Sequence, residues 1–347
     1  MENSKKVYFF LGVLFFLAGC APRYTVLPTV AENDKEISFC AAGDVMMDRG
    51  VKNHIKKEGC GYPFKNVSLF IKAHDISFCN LEGAVSLRKK RQKTYAFRCE
   101  PKYFRGFPAC GFNFVSIANN HIMDCEQGGI ADTIAELTKY NICYSGGGKN
   151  RADAIEAKYY TVKGVKIGFL AYVDMPFKFE EIPDSAAFPQ PAHGKVYEIK
   201  KEIKKAARKS DFIIVSFHWG EEYKHYPAKR QENLARAAVD AGAGLVLGHH
   251  PHVLQGIEKY KGKYIFYSLG NFVFDQYREK QTQSMVFSCK IKNNKITDAF
   301  VTPVRIKHSR PAFAREKDAV KIKKNIVKYS KGMNVEFDEY KHRLFIK

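Results

Sequence analysis

Five apolar, strand-like runs in this chain each stop on residues that can ligate a metal or move a proton. The clearest is Ala-Gly-Leu-Val-Leu, residues 243–247, which closes on Gly248-His249-His250-Pro251-His252. The run at 36–42 closes on Gly43-Asp44, that at 75–79 on Asn80-Leu81-Glu82, that at 112–117 on Asn119-Asn120-His121, and that at 211–217 on His218. Helical patterns at 126–140, 195–210 and 230–241 separate several of them. Such alternation predicts an α/β sheet, and open α/β sheets keep their ligands just beyond the strand ends. One line of strand ends then gathers carboxylate, amide and imidazole around a single cleft.

The residue types at those ends suit a particular chemistry. Neutral imidazole ligates zinc, iron, nickel or copper, and three histidines fall within four residues at the glycine turn; the alternative is a structural or proton-switch cluster. Asn80 and Glu82 are two apart, so a continuing strand puts them on the same side. Asn120 offers a carbonyl oxygen, and His121 beside it can give a proton to a leaving oxygen. His218 precedes Trp219, the only tryptophan in the chain. This inventory suits a one- or two-metal hydrolytic site, in which metal ions activate water and polarise a phosphoryl or acyl group.

A chain of 347 residues with 45% apolar content can fill a sizeable core as one large α/β domain or two small ones. No internal repeat or convincing boundary divides it. Lys5 and Lys6 precede an apolar run at 7–17, too short and too early for a good spanning helix, which reads as a signal peptide. It ends Leu17-Ala18-Gly19-Cys20, which looks like the lipobox of bacterial lipoproteins, with Cys20 as the lipidated residue. The expected organisation is a signal segment 1–20, a tether 21–35, a catalytic-type domain 36–310 and a basic C-terminal extension 311–347. The proline-rich stretch 176–191 reads as a lid or insertion. Formal charge is +21, of which the signal segment accounts for +1, leaving +20 to attract polyanions and acidic membrane surfaces. The basic stretch 88–93 is a solvated loop or a contact for an anionic substrate. Beyond Cys20, eight cysteines remain, with no compact spacing and no Cys-x-x-Cys pair; they read as unpaired apolar residues.

Taken in order, Gly43-Asp44-Val45-Met46, Asn80-Leu81-Glu82, Ala118-Asn119-Asn120-His121 with Asp124, His218-Trp219-Gly220, Gly248 to His252, and Ser268-Leu269-Gly270-Asn271-Phe272 resemble the motif series of the CapA family, linked to poly-γ-glutamate capsule biosynthesis. The resemblance covers roughly residues 37–275. That family is in turn similar to the calcineurin-like metallophosphoesterases. The resemblance implies an α/β fold, a four-layer α-β-β-α sandwich of the metallo-dependent phosphatase type. It implies Asp44, Glu82, Asn120, His218, His250 and His252 as ligands of one or two divalent ions, manganese, zinc or iron. It implies His121 with Asp124 as the catalytic pair, and Asn80, Asn119, Trp219, Glu222, His249 and Asn271 as substrate contacts. The pattern departs from the superfamily at Met46, where Asp-x-His would place a histidine, at Asn80-Leu81-Glu82, which replaces Gly-Asp, and after His121, where the following acid is missing.

Two functions fit. One is a metal-dependent hydrolase or transferase acting on an anionic γ-glutamyl polymer or a phosphate ester. The other is a non-enzymatic lipoprotein that binds the polymer beside a membrane synthase or export complex. Either partner is an anionic polymer and a membrane rather than nucleic acid, at the extracytoplasmic face of the cell membrane. A single acyl chain anchors only marginally, so the diacyl group of a lipoprotein is expected. Radiolabelled palmitate should therefore enter the wild-type chain and not Cys20→Ser; equal labelling of both excludes the lipobox.

Overall fold

Side chains alternate along the strand Glu36–Val45. Ile37, Phe39 and Ala41 enter one apolar cluster, while Cys40 and Ala42 enter another. A strand buried on both faces needs a packed layer on each side. The same division recurs in Phe212–Trp219, where Phe212 and Ile214 join the cluster of Ile37, and Ile213, Val215 and Phe217 join a third. The shared cluster therefore lies between two sheets. Arg49–Glu58 and Glu126–Lys139 cover the outer face of the first sheet through Val51, Ile55, Ile130 and Leu137. Val196–Ala207 and Lys229–Ala241 cover the second through Ile199, Ile203, Leu234 and Ala238. The computed structural model, which describes residues 35–175 and 188–347, is thus the four-layer α-β-β-α sandwich anticipated from the sequence.

The first sheet has ten strands. Glu36–Val45, Ile76–Leu81, Phe114–Ser116 and Cys143–Ser145 run parallel to one another, and Gln283–Lys292 and Lys295–Lys307 continue the sheet antiparallel. The second sheet has six strands, with Val165–Asp174, Phe212–Trp219, Leu245–His249 and Lys263–Phe266 parallel at its centre. Parallel strands bring their C-terminal ends to one edge, and the polar ends of both sheets meet there. Register fixes the neighbours: Asp44 lies opposite Asn80 and Asn271, and His218 opposite His249. Two glycines make the close approaches possible. A Cβ on Gly43 would lie 1.8 Å from the Gly270 carbonyl oxygen, and one on Gly248 would lie 2.0 Å from that of Tyr267.

Lys263–Phe266 stays in the second sheet, and Asn271–Val273 crosses to pair with Glu36–Val45 in the first. A hairpin partner, Lys158–Val162, lies beside Val165–Asp174. The stretch 311–347 is not an extension of the domain. Its helix Glu316–Tyr329 and its strand Arg343–Ile346 bury Ile322, Ile326, Leu344 and Ile346 in the cluster between the sheets. The amphipathic spacing of these residues hides under a high lysine content, and one of those lysines, Lys323, is itself buried with its ammonium on Glu339 and the Lys341 carbonyl. The eight cysteines in the described residues are free thiols. The signal segment, all of the tether but Lys35, and residues 176–187 of the proline-rich stretch lie outside the described residues. Because Ile322 is fully buried, Ile322→Ala should cost about 2–5 kcal/mol of stability, read as a lower urea midpoint; an unchanged midpoint would return the segment to the surface.

Candidate metal centre and cleft

Asp44 sits at the bottom of the site with no exposure to solvent. Asn80 Nδ2 donates to its Oδ1 at 2.9 Å, and His249 Nδ1 lies 3.1 Å from the same oxygen. Its Oδ2 receives the His250 backbone N–H at 3.3 Å and lies 3.5 Å from His252 Nδ1. Burial alone would raise this carboxyl. Hydrogen bonds and charge from His249 and His252 outweigh burial and hold it well below the usual carboxylate range. The turn that delivers these imidazoles is strained: His250 and His252 have φ of 95° and 55°, a region rarely adopted by residues with a side chain.

Glu82 is the unusual member. Both carboxylate oxygens are buried and neither has a hydrogen-bond partner. Its nearest opposite groups are His252 Nε2 at 3.6 Å and His121 Nε2 at 3.8 Å. Burial pushes its carboxyl well above the usual range; His252 opposes the shift, and Asp44, Glu222 and Asp124 add to it. His252, in turn, is raised to about 9, because Glu82 and Asp44 overcome the burial that would lower it. A buried carboxylate left without donors is costly unless a cation completes it.

His218 faces these acids from the second sheet. Its Nδ1 lies 3.4 Å from Asn80 Nδ2 and its Nε2 lies 2.9 Å from Asn120 Oδ1, which fits a neutral ring carrying its hydrogen on Nε2. Burial, reinforced by His250, holds the ring well below the usual histidine range despite the pull of Asp44. One ligand atom from each of Asp44, Glu82 and His218 lies within 4.8 Å of the others. Two carboxylates and a neutral imidazole converging at that spacing suit a divalent cation. His252 borders both acids, Asn120 borders His218, and the His250 ring stands 4.8 Å from that of His218.

His121 lies on the cleft side of this group. Its Nδ1 is 2.7 Å from Asp124 Oδ2, and its face stacks on Phe97 with ring centroids 3.9 Å apart. Burial lowers its pKa, and Asp124 partly restores it. Asp124 also accepts the Phe97 N–H at 2.6 Å and pairs with Lys93. Lys93, Phe97 and Arg49 are therefore site residues that the sequence did not single out. The only signal was the basic stretch 88–93, which did not say that its last lysine turns inward.

The residues assigned to substrate divide sharply. A cleft of about 580 Å³ opens over the centre, lined by His121, His252, Asn120, Glu222, Arg49 and Lys93 among others. Of the six assigned to substrate, only Glu222 lines it. Asn80, Asn119 and Asn271 are fully buried and serve the scaffold: Asn119 donates to Asn80 and to the Leu81 carbonyl, and Asn271 Oδ1 meets His252 Nδ1 at 2.9 Å. His249 lies behind Asp44 with no exposure. Trp219 turns to the opposite face of its strand, stacks on Phe217 and donates to the Tyr267 carbonyl at 2.9 Å. Strand alternation explains it: His218 points to the centre, so its neighbour points away.

The family model described as bacterial capsule synthesis protein PGA_cap matches residues 38–276. The chain is 34% identical over 295 residues to the capsule biosynthesis protein CapA of Bacillus anthracis, covering 82% of this chain and 71% of the relative. It is 33% identical over 340 residues to the PGA biosynthesis protein CapA of Bacillus subtilis, covering 96% of this chain and 89% of the relative. Among solved structures it is similar to a phosphatase from Mycoplasma pneumoniae, with 14% identity and a TM-score of 0.46 over 78% of this chain and 93% of that one.

If the Glu82 carboxylate is a cation ligand, its substitution has opposite effects in two states. In chelator-treated protein, Glu82→Gln should leave the melting temperature unchanged or raise it, since a buried unpartnered carboxyl is removed. After incubation with manganese, zinc or iron, it should melt below wild type and hold less metal by elemental analysis. An equal loss of stability in both states would make Glu82 a packing residue.

Proposed function

This chain belongs to the bacterial capsule synthesis protein PGA_cap family, and from that membership we propose that it is a metal-dependent hydrolase or transferase acting on an anionic γ-glutamyl polymer or a phosphate ester. The observation that carries the proposal is the unpartnered Glu82 carboxylate beside Asp44 and His218, at the floor of a cleft with a basic mouth. Relatives named for capsule and PGA biosynthesis support the polymer as the ligand class.

Asp44, Glu82 and His218 would hold the cation, with His252, Asn120 and His250 beside them. One or two ions of manganese, zinc or iron would supply Lewis acidity and water activation near neutral pH. The chain's own residues do the rest. Asp124 fixes the His121 ring through Nδ1, so Nε2 is the atom turned toward Glu82 and the cleft. That nitrogen is placed to take or return a proton at the reacting oxygen. Lys93 and Arg49 put positive charge at the mouth, and Phe97 closes one side of His121 against water. The lipid anchor on Cys20 would hold the domain at the extracytoplasmic face of the cell membrane, beside a synthase or export complex.

One observation favours a second reading, that of a polymer-binding accessory subunit. Met46 stands where the superfamily motif has a histidine; it is buried, and its Sδ lies 3.0 Å from the Asp48 N–H. Metal-loaded protein incubated with poly-γ-glutamate and with a simple phosphomonoester distinguishes the two. The enzyme reading expects chain shortening or phosphate release that is lost in His121→Ala. Binding that weakens as salt rises, with no turnover under any of the three metals, assigns the accessory role.

A further inference from the structure

The cleft does not end at the metal centre. A second depression of about 250 Å³ adjoins it and shares Tyr223, Arg278 and Gln281 with it. Val253 and the rings of Tyr223 and His225 line its apolar part, and Arg278 and Lys280 stand on its rim. The two depressions together form an elongated groove, longer than a lone phosphate ester requires.

The charges along that groove are unequally committed. In the first depression Arg49 pairs with Asp275 and Lys93 pairs with Asp124, so both are already partly neutralised. Glu222 is also there, and it hydrogen-bonds Tyr223. In the second depression the one acid, Glu279, pairs with Lys321. Lys280 donates to the Tyr329 hydroxyl at 3.2 Å, a neutral partner, and makes no ion pair among the described residues. The Arg278 guanidinium has no hydrogen-bond or ion-pair partner among the described residues, and it stands where the two depressions join. Gln281 holds its backbone in place, accepting the Arg278 N–H at 3.3 Å.

We infer that this second depression is an anion-binding subsite, centred on Arg278 and Lys280, for a carboxylate further along an extended acidic chain whose nearer unit lies over the metal centre. The inference rests on the reading of the cleft as a polymer site. The apolar floor suits the methylene stems between successive carboxylates, and the guanidinium suits a carboxylate in two-point contact. The subsite makes the protein read chain length, which a site for one phosphate ester does not do.

The test uses the full-length protein and two fluorescent γ-linked glutamate probes, a dimer and a decamer, titrated by anisotropy at fixed low salt. Wild type should bind the decamer about tenfold more tightly than the dimer, the gain expected of one additional charge-assisted contact. Arg278→Ala and Lys280→Ala should each remove most of that difference, with Lys280→Ala leaving dimer binding nearly unchanged. Lys201→Ala, an exposed lysine on the helix Val196–Ala207 remote from the groove, should leave the difference intact. Melting curves should stay close to wild type, since Arg278 is exposed and the half-buried Lys280 loses only one bond, to the neutral Tyr329 hydroxyl. Length discrimination that survives both substitutions, or that Lys201→Ala reduces equally, overturns the subsite while leaving the polymer reading standing. Failure of wild type to bind either probe overturns both.

Discussion

The Asp44 carboxylate ties the two sheets together at their open edge. It is carried by the first sheet, yet three of its contacts, from His249, the His250 N–H and His252, come from the second. A fully buried carboxylate is tolerated only when several donors meet it, so its position and the histidine turn depend on each other. The strained φ at His250 and His252 follows from that mutual dependence. Extended backbone beyond Leu245–His249 would carry the imidazoles past Asp44; the left-handed positions turn them back. Gly43 and Gly248 let both strands approach the Tyr267–Gly270 connection closely enough to close the arrangement.

Around that tie, buried amides carry the geometry outward. Asn119 bonds Asn80, Asn80 bonds Asp44, and Asn120 meets His218. Asn80 and Asn119 each donate and accept, and the Asn120 oxygen accepts from His218 Nε2, so the amides orient the His218 ring with Nδ1 toward Asn80. Glu82 is left out of this network: neither of its oxygens accepts a hydrogen bond, and its nearest opposite groups are imidazoles more than 3.5 Å away. Asp44, by contrast, accepts from Asn80 and from the His250 N–H.

The layers and the location of the site were legible in the sequence because both rest on short-range pattern. Apolar runs such as 36–42 mark buried strands, and a polar residue at each strand end shows which edge opens. What the sequence left hidden depends on contacts between distant segments. Trp219 and His218 are adjacent, and only the pleat decides which of them faces the centre. Asn80, Asn119 and Asn271 read as substrate contacts because an amide at a strand end looks the same whether it meets a ligand or another amide. Lys93 and Arg278 lie in irregular stretches with no periodicity to place them. The buried face of Glu316–Tyr329 was masked by lysines whose aliphatic stems pack beside Ile322 and Ile326.

Met46 has a structural role of its own. Its thioether receives the Asp48 N–H, and the Asp48 side chain then collects Lys52, Lys90 and the Arg98 N–H. Lys90 and Arg98 belong to the stretch that also delivers Lys93 to Asp124 and Phe97 to the face of His121. The first strand's end therefore anchors a basic strap over the cleft. Hydrogen bonds from the Arg49 and Arg98 backbone, and then from Lys90, outweigh burial and keep the Asp48 carboxyl below the usual range, which holds the strap's charge pairs in place at neutral pH.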